Sequence, residues 1–178
     1  MTKKELSVQE VAELLGLFSE VFVYISELKR KKKLAENIQY PKLPSILTES
    51  IILHLLRQHI ILPDLSNFQF KFGGNIADII GSNKEKDIKI EVKGTVNSFQ
   101  YFGPKDINAD YLIWIYLGET YFSKNRGKII IYILKPRGLF KDSVKITIKT
   151  FLKDYGDKIE TLELNLQDVL SGKFSNIS

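Results

Sequence analysis

Two stretches of the chain are apolar almost without interruption: Tyr111–Leu117 (YLIWIYL) and Lys128–Leu134 (KIIIYIL). A strand with one face in water alternates apolar and polar residues. A strand covered on both faces has no such alternation. The two runs therefore predict central strands of a sheet. Helical periodicity comes first in the chain and strand periodicity follows. The expected fold class is α/β (α+β), a mixed β-sheet flanked by helices, and 178 residues suit a single domain over 1–178.

The first helix is announced by Ser7 and Glu10, which fit the S-x-x-E capping box. Val8, Val11, Leu15, Phe18, Phe22 and Ile25 then recur at three- and four-residue steps and mark one apolar face. This segment, 7–37, is expected to stand outside the core and to offer dimer surface. It runs into Lys29, Arg30, Lys31, Lys32 and Lys33, which suit the negative end of the helix dipole and equally suit phosphates. Pro41 and Pro44 break the chain before a second helix, Ser45 to His59, with Ser45 as N-cap. Apolar residues take up most of its circumference, so it is expected to be largely buried. Glu49 falls between Leu56 and Ile60, inside the apolar sector, where a carboxylate is costly.

Strands are predicted at Asn67–Phe72, Asn75–Ile80 and Asp87–Lys93, with a polar turn at Ser82–Lys86 joining the last two as antiparallel neighbours. In the last third, Val144–Ile148 and Thr161–Leu166 alternate like strands, and a short helix is expected at Leu166–Leu170.

Composition limits the chemistry. There is no cysteine, and His54 and His59 are the only histidines. Disulfides, thiolate sites and cysteine nucleophiles are excluded, and a zinc site lacks ligands. Nothing pairs either histidine with a nucleophile, so both are expected to be structural. Lys plus Arg number 26 against 21 Asp plus Glu, a net charge of +5 that permits a polyanionic partner without demanding one. The start lacks the apolar run of a secretory leader and no stretch is long enough for a membrane span. The expectation is a cytoplasmic protein of prokaryotic type, with no membrane contact and no organic cofactor.

Chemistry is left to carboxylates, lysines and an oxygen-bound metal, and one stretch gathers them. In the segment from Asn75 to Thr95, a hairpin closing at Ser82–Lys86 brings Asp78 beside Glu91, and alternation puts Lys93 on the same side as Glu91. Paired carboxylates make a hard oxygen site suited to Mg²⁺, and a lysine two positions on can hold the attacking water. Glu91-Val92-Lys93 alone is also what the solvated face of an amphipathic strand presents. Asp78, however, shares a strand face with Ile76 and Ile80, and so interrupts an apolar pattern as Glu49 does on its helix. Such local conflicts mark functional sites.

Glu49, then Asp78, then Glu91-Val92-Lys93 resembles the signature of the PD-(D/E)xK nuclease superfamily, particularly small type II restriction endonucleases. The signature spans residues 78–93 plus Glu49, and a looser likeness runs from Glu49 to Leu117 through F99-Q-Y-F-G-P-K105-D-I-N-A-D110. Ala77 stands where the signature often has proline. The resemblance implies a restriction-endonuclease-like fold. It implies Mg²⁺, with Mn²⁺ as substitute, ligated by Asp78, Glu91 and the Val92 carbonyl. Lys93 would activate the water, and Glu49 would reach the metal through water or help bind a second ion. Water would attack in line and leave 5′-phosphate ends on double-stranded DNA.

Lys84, Lys86, Lys89, Lys105, Lys124, Arg126 and Lys128 are candidates for phosphate contacts. Asn97, Ser98, Gln100 and Tyr101 follow the active strand and are candidates for groove contacts, as are Lys124, Asn125 and Arg126. An ordinary polar loop is the alternative for each set, and packing is the alternative for Tyr101 and Phe102. A homodimer suits two-fold DNA. Three functions compete: a site-specific type II deoxyribonuclease, a structure-specific nuclease such as a Holliday-junction resolvase or repair nicking enzyme, and a DNA-binding module with a decayed site.

Overall fold

In the computed structural model, which describes residues 5–31, 37–71, 77–84, 86–118, 121, 127–165 and 168–169, both apolar runs lie inside the main sheet. The elements in chain order are α1 (Val8–Lys31), α2 (Ser45–Arg57), β1 (Ser66–Phe70), β2 (Ile79–Ser82), β3 (Asp87–Thr95), β4 (Phe99–Phe102), α3 (Pro104–Ile107), β5 (Tyr111–Tyr116), β6 (Lys128–Leu134), β7 (Val144–Thr147), α4 (Ile148–Tyr155) and β8 (Glu160–Asn165). Six strands form one mixed sheet in the order β1-β2-β3-β5-β6-β8, and β4 and β7 form a second, two-stranded sheet. Within the main sheet only β3 and β5 run parallel.

The apolar runs follow from two cores. Ile113 and Ile115 of β5, with Ile129, Ile131 and Ile133 of β6, face the core beneath α1 and α2. Leu112, Trp114, Tyr132 and Leu134 face the other side, where they pack with Phe102, Ile146 and Phe151. Successive residues in the middle of each strand thus enter different cores, and a charged side chain appears only at the end of β6, at Lys128. Each fully buried side chain of this size contributes about 1.5–3 kcal/mol.

The capping box of α1 forms: the Ser7 amide donates to Glu10 Oε2 at 2.7 Å, and the Glu10 amide donates to Ser7 Oγ at 3.3 Å. The helix does not stand outside the core. Val11, Leu15, Phe22 and Ile25 are buried in the first core, and the Tyr121 hydroxyl donates to the Leu15 carbonyl at 2.6 Å. The stripe left exposed on α1 is Leu17, Val21 and Tyr24. Lys32 and Lys33 lie outside the described residues, and Lys29 sits over the Tyr40 ring at 4.5 Å.

Helix α2 is buried along Leu47–Leu53 and at Leu55 and Leu56, as its wheel implied. Pro44, not Ser45, holds the N-cap position, because its extended backbone (φ −60, ψ 133) turns directly into the helix. The packing of α2 on β3 depends on Gly94. A Cβ there would lie 2.3 Å from Thr48 Cγ2, so only glycine lets the helix ride this close to the strand.

Strand boundaries differ from expectation at one important place. β2 starts after Asp78 and runs through Gly81 to Ser82, so the turn is 83–86. Residues 72–76 lie outside the described residues, as does most of the helix expected at Leu166–Leu170. β7 ends at Thr147, where the Thr147 hydroxyl accepts the Thr150 amide at 3.2 Å and starts α4, a helix the alternation at Val144–Ile148 concealed. Parallel β3 and β5 require a crossover. It spans residues 96–110, holds β4 and α3, and returns Lys105 and Asp106 to β3 beside Glu91 and Lys93. Among the described residues, no helix is long and apolar enough to cross a membrane.

Candidate active site

The β2–β3 hairpin pairs antiparallel, with Ile79 opposite Ile90, and so brings Asp78 beside Glu91 and Val92. Asp78 Oδ2 accepts the Val92 amide at 2.9 Å, which fixes the carboxylate against the strand. Strand alternation buries Ile90 and Val92 in the core under α2 and turns Glu91 the other way. That other side is not solvent. Glu91 is only 1% exposed, so it does not belong to the wet face of an amphipathic strand.

A single ammonium bridges the two acids. Lys105 Nζ, at the start of α3, lies 2.9 Å from Asp78 Oδ1 and 3.1 Å from Glu91 Oε2. Both oxygens are about 3 Å from one nitrogen, so they are no more than about 6 Å apart, and one Mg²⁺ at 2.0–2.1 Å from each would draw them to within about 4.2 Å. Lys93, the lysine expected beside the acids, instead pairs with Asp106 Oδ1 at 3.0 Å. Asp106 is 3% exposed, and its other oxygen accepts the Gly103 amide at 2.7 Å. The two lysines therefore hold places that strand alternation alone did not foresee. Alternation fixes a side chain's face but says nothing of which cation a crossover delivers.

Glu49 completes the group. The close seat of α2 over Gly94 carries it to the same cleft, where it is 6% exposed. A cleft of about 370 Å³ is lined by Glu49, Asp78, Val92, Lys93, Gln100 and Lys105. Burial, then the Asp78 charge, pushes Glu49 up to about 7, against the opposing pull of the Ser45 side chain, Lys105 and Lys93. Burial and Asp78 likewise push Glu91 up to about 8, although Lys105 opposes them. Burial pulls Lys105 down, but its contacts with Asp78 and Glu91 together outweigh that and raise it.

These residues fit a hard divalent cation. Glu91 Oε1 is buried without a hydrogen-bond partner, and the buried Oε2 has the Lys105 ammonium, which Asp78 shares. Unpaired buried carboxylate oxygens are expensive unless a cation takes them. The fit rests on this pair, the adjacent Val92 backbone and nearby Glu49. Among the described residues, no cluster of three or more His, Cys, Asp or Glu side chains is gathered as a ready-made metal cage.

Of the candidates for groove contacts, Asn97, Gln100 and Tyr101 line a second cleft of about 370 Å³ that adjoins the first through Leu43, Gly94 and Gln100. Gln39 and Lys42, which the sequence did not mark, form part of its wall. Ser98 lines neither cleft, and its carbonyl accepts the Ile148 amide at 2.8 Å. Phe102 is a core residue, whereas Tyr101 is 56% exposed and does not pack inside. Lys124, Asn125 and Arg126 lie outside the described residues. Lys84 and Lys89 are exposed. Lys86 lies 3.7 Å from Asp110, and Lys128 pairs with Glu163 across β6 and β8 at 2.6 Å, lining neither cleft. Both histidines bond to main-chain carbonyls, His54 to Leu6 at 2.7 Å and His59 to Pro63 at 3.2 Å.

Asp106 is the site residue that sequence reasoning missed. Its signal was Gly103-Pro104-Lys105-Asp106: proline in the first turn with an acid three residues after the cap opens a helix. No protein-family model matches the chain, and no curated protein matches it.

Proposed function

We propose that the protein is a Mg²⁺-dependent deoxyribonuclease of type II restriction kind, cutting double-stranded DNA at a specific sequence and leaving 5′-phosphate ends. The observation that carries the reading is the pairing of half-buried Asp78 with buried Glu91 around one cation position, with Lys93 two residues beyond Glu91 on the same strand. Bound Mg²⁺, or Mn²⁺ in its place, would supply a more acidic water and charge neutralisation at the phosphate. Asp78, Glu91 and the Val92 carbonyl would hold it, with Glu49 acting through water. Lys93, freed from Asp106, orients the attacking water. The adjoining cleft, with Asn97, Gln100 and Tyr101, takes the DNA flanking the scissile bond and supplies hydrogen-bonding groups for base edges. A restriction-endonuclease-like fold and a homodimer belong to the same reading. Leu17, Val21 and Tyr24, exposed on one stripe of α1, support the dimer.

The test is digestion of plasmid and linear duplex DNA of known sequence with Mg²⁺, followed by end mapping. Discrete fragments with 5′-phosphates are expected. Cutting confined to branched or mismatched DNA would replace this reading with a structure-specific nuclease. Binding without ion-dependent cleavage would leave a DNA-binding module.

A further inference from the structure

Lys105 reached the sequence reading only as a candidate for phosphate contact, and its position says more. Its ammonium stands between Asp78 and Glu91, at 2.9 and 3.1 Å, where a cation shared by those oxygens would lie. Its side chain is 35% exposed at the mouth of the cleft. It comes from the crossover, not from β3, which carries Glu91, or from the residue before β2, which is Asp78, so it can leave without disturbing the strands.

We propose that Lys105 is an internal counter-cation: it holds the metal position in the ion-free protein, competes with the divalent ion for it, and is released toward the DNA phosphates when the ion enters. This rests on the metal-dependent reading above. With both acids ionised and no metal, removal of the ammonium would leave the buried Glu91 charge beside the half-buried Asp78 charge with no counter-charge between them. A divalent ion at 2.0–2.1 Å from the same oxygens cannot share the space with an ammonium at hydrogen-bond distance. One positive group must therefore replace the other. The displaced one remains at the mouth of a cleft in which phosphate is the expected anion, so ion binding would strengthen DNA binding, and DNA binding would strengthen ion binding equally.

Titration calorimetry with Mn²⁺, without DNA and at a fixed alkaline pH, tests the competition on the wild-type protein and on Lys105→Met. Charge-assisted contacts of this kind are each strong enough that the variant is expected to bind Mn²⁺ at least about tenfold more tightly. Equal or weaker binding by the variant overturns the counter-cation role and leaves the metal-dependent reading standing. No ion binding by either protein overturns both. Should the variant not fold, the wild-type protein answers alone. Amine-reactive labelling, read by mass spectrometry of the peptide containing Lys105, is expected to rise severalfold on adding Mn²⁺ relative to the exposed Lys89. Unchanged or reduced labelling of Lys105 overturns the proposal. Fluorescence anisotropy with Ca²⁺ and duplex DNA provides the coupled readout: the ion's effect on DNA affinity should shrink in Lys105→Met, and an undiminished effect speaks against release toward phosphate.

Discussion

Replacing Glu91 with glutamine separates its proton from its charge. Glu91 is 1% exposed, and burial followed by the Asp78 charge pushes it up to about 8 in the ion-free protein, from an ordinary 4.5. Between those values the folded protein holds a proton that the unfolded chain has released. The unfolded state binds fewer protons there, so stability falls as pH rises: the contribution is fully present below 4.5 and lost once pH passes the folded value. The slope is roughly 1.4 kcal/mol per pH unit for one proton. Glutamine has the shape of the protonated acid and no such slope. With EDTA present, the stability of Glu91→Gln relative to wild type should therefore rise by about 3 kcal/mol from pH 5 to pH 7, or roughly 5–10 °C in Tm for a chain of this size. Glu49 owes its raised value to its own burial and to Asp78, so its slope persists in both proteins and cancels. Urea melts at several pH values between 5 and 7 measure the difference. Parallel curves would mean that Glu91 ionises in its ordinary range, and the account of a buried, proton-holding carboxylate would be wrong.

Other substitutions test the remaining parts. Asp78→Ala should abolish Mg²⁺-dependent cleavage while leaving DNA affinity in Ca²⁺ within a few-fold, measured by gel assay and anisotropy; retained cleavage would remove Asp78 from the site. Lys93→Ala should slow single-turnover cleavage by about 10²–10⁴-fold with Mn²⁺ binding preserved, and a near-wild-type rate would assign the water to another group. Gly94→Ala forces a methyl to 2.3 Å from Thr48 Cγ2, so it should cost about 1–3 kcal/mol in urea unfolding and lower activity by shifting Glu49. An unchanged Cm would show that α2 can move without consequence.

Much of this architecture was readable in the residues. Period-3.6 patterns found α1 and α2, and unbroken apolar runs found β5 and β6, because each pattern reports burial directly. The meeting of Asp78 and Glu91 was readable because a short hairpin fixes the register locally. What escaped depends on contacts between distant segments. β4 pairs with β7, Phe99 opposite Thr147, and nothing local to either strand announces the other. Helix α4 was hidden because Val144–Ile148 alternates and the Thr147 cap reads as one more strand residue. The exchange of lysine partners escaped for a similar reason. Lys93 and Lys105 are both near the acids in sequence, and only the path of the crossover decides that Asp106 takes one and Asp78 with Glu91 the other.

The small β4–β7 sheet has a consequence for motion. Its two strands have four residues each, whereas β3, β5 and β6 are enclosed by neighbours on both edges. Short two-stranded pairs are marginal by themselves and open as separate cooperative units. Amide hydrogens of β4 and β7 should therefore exchange with deuterium as a group, well ahead of those of Ile113 and Ile131. Gln100, opposite Ile146 in that pair, belongs to the faster group although it lines the same cleft as Glu49 and Asp78. The β4 wall of the cleft would breathe while the acids beside it stay still.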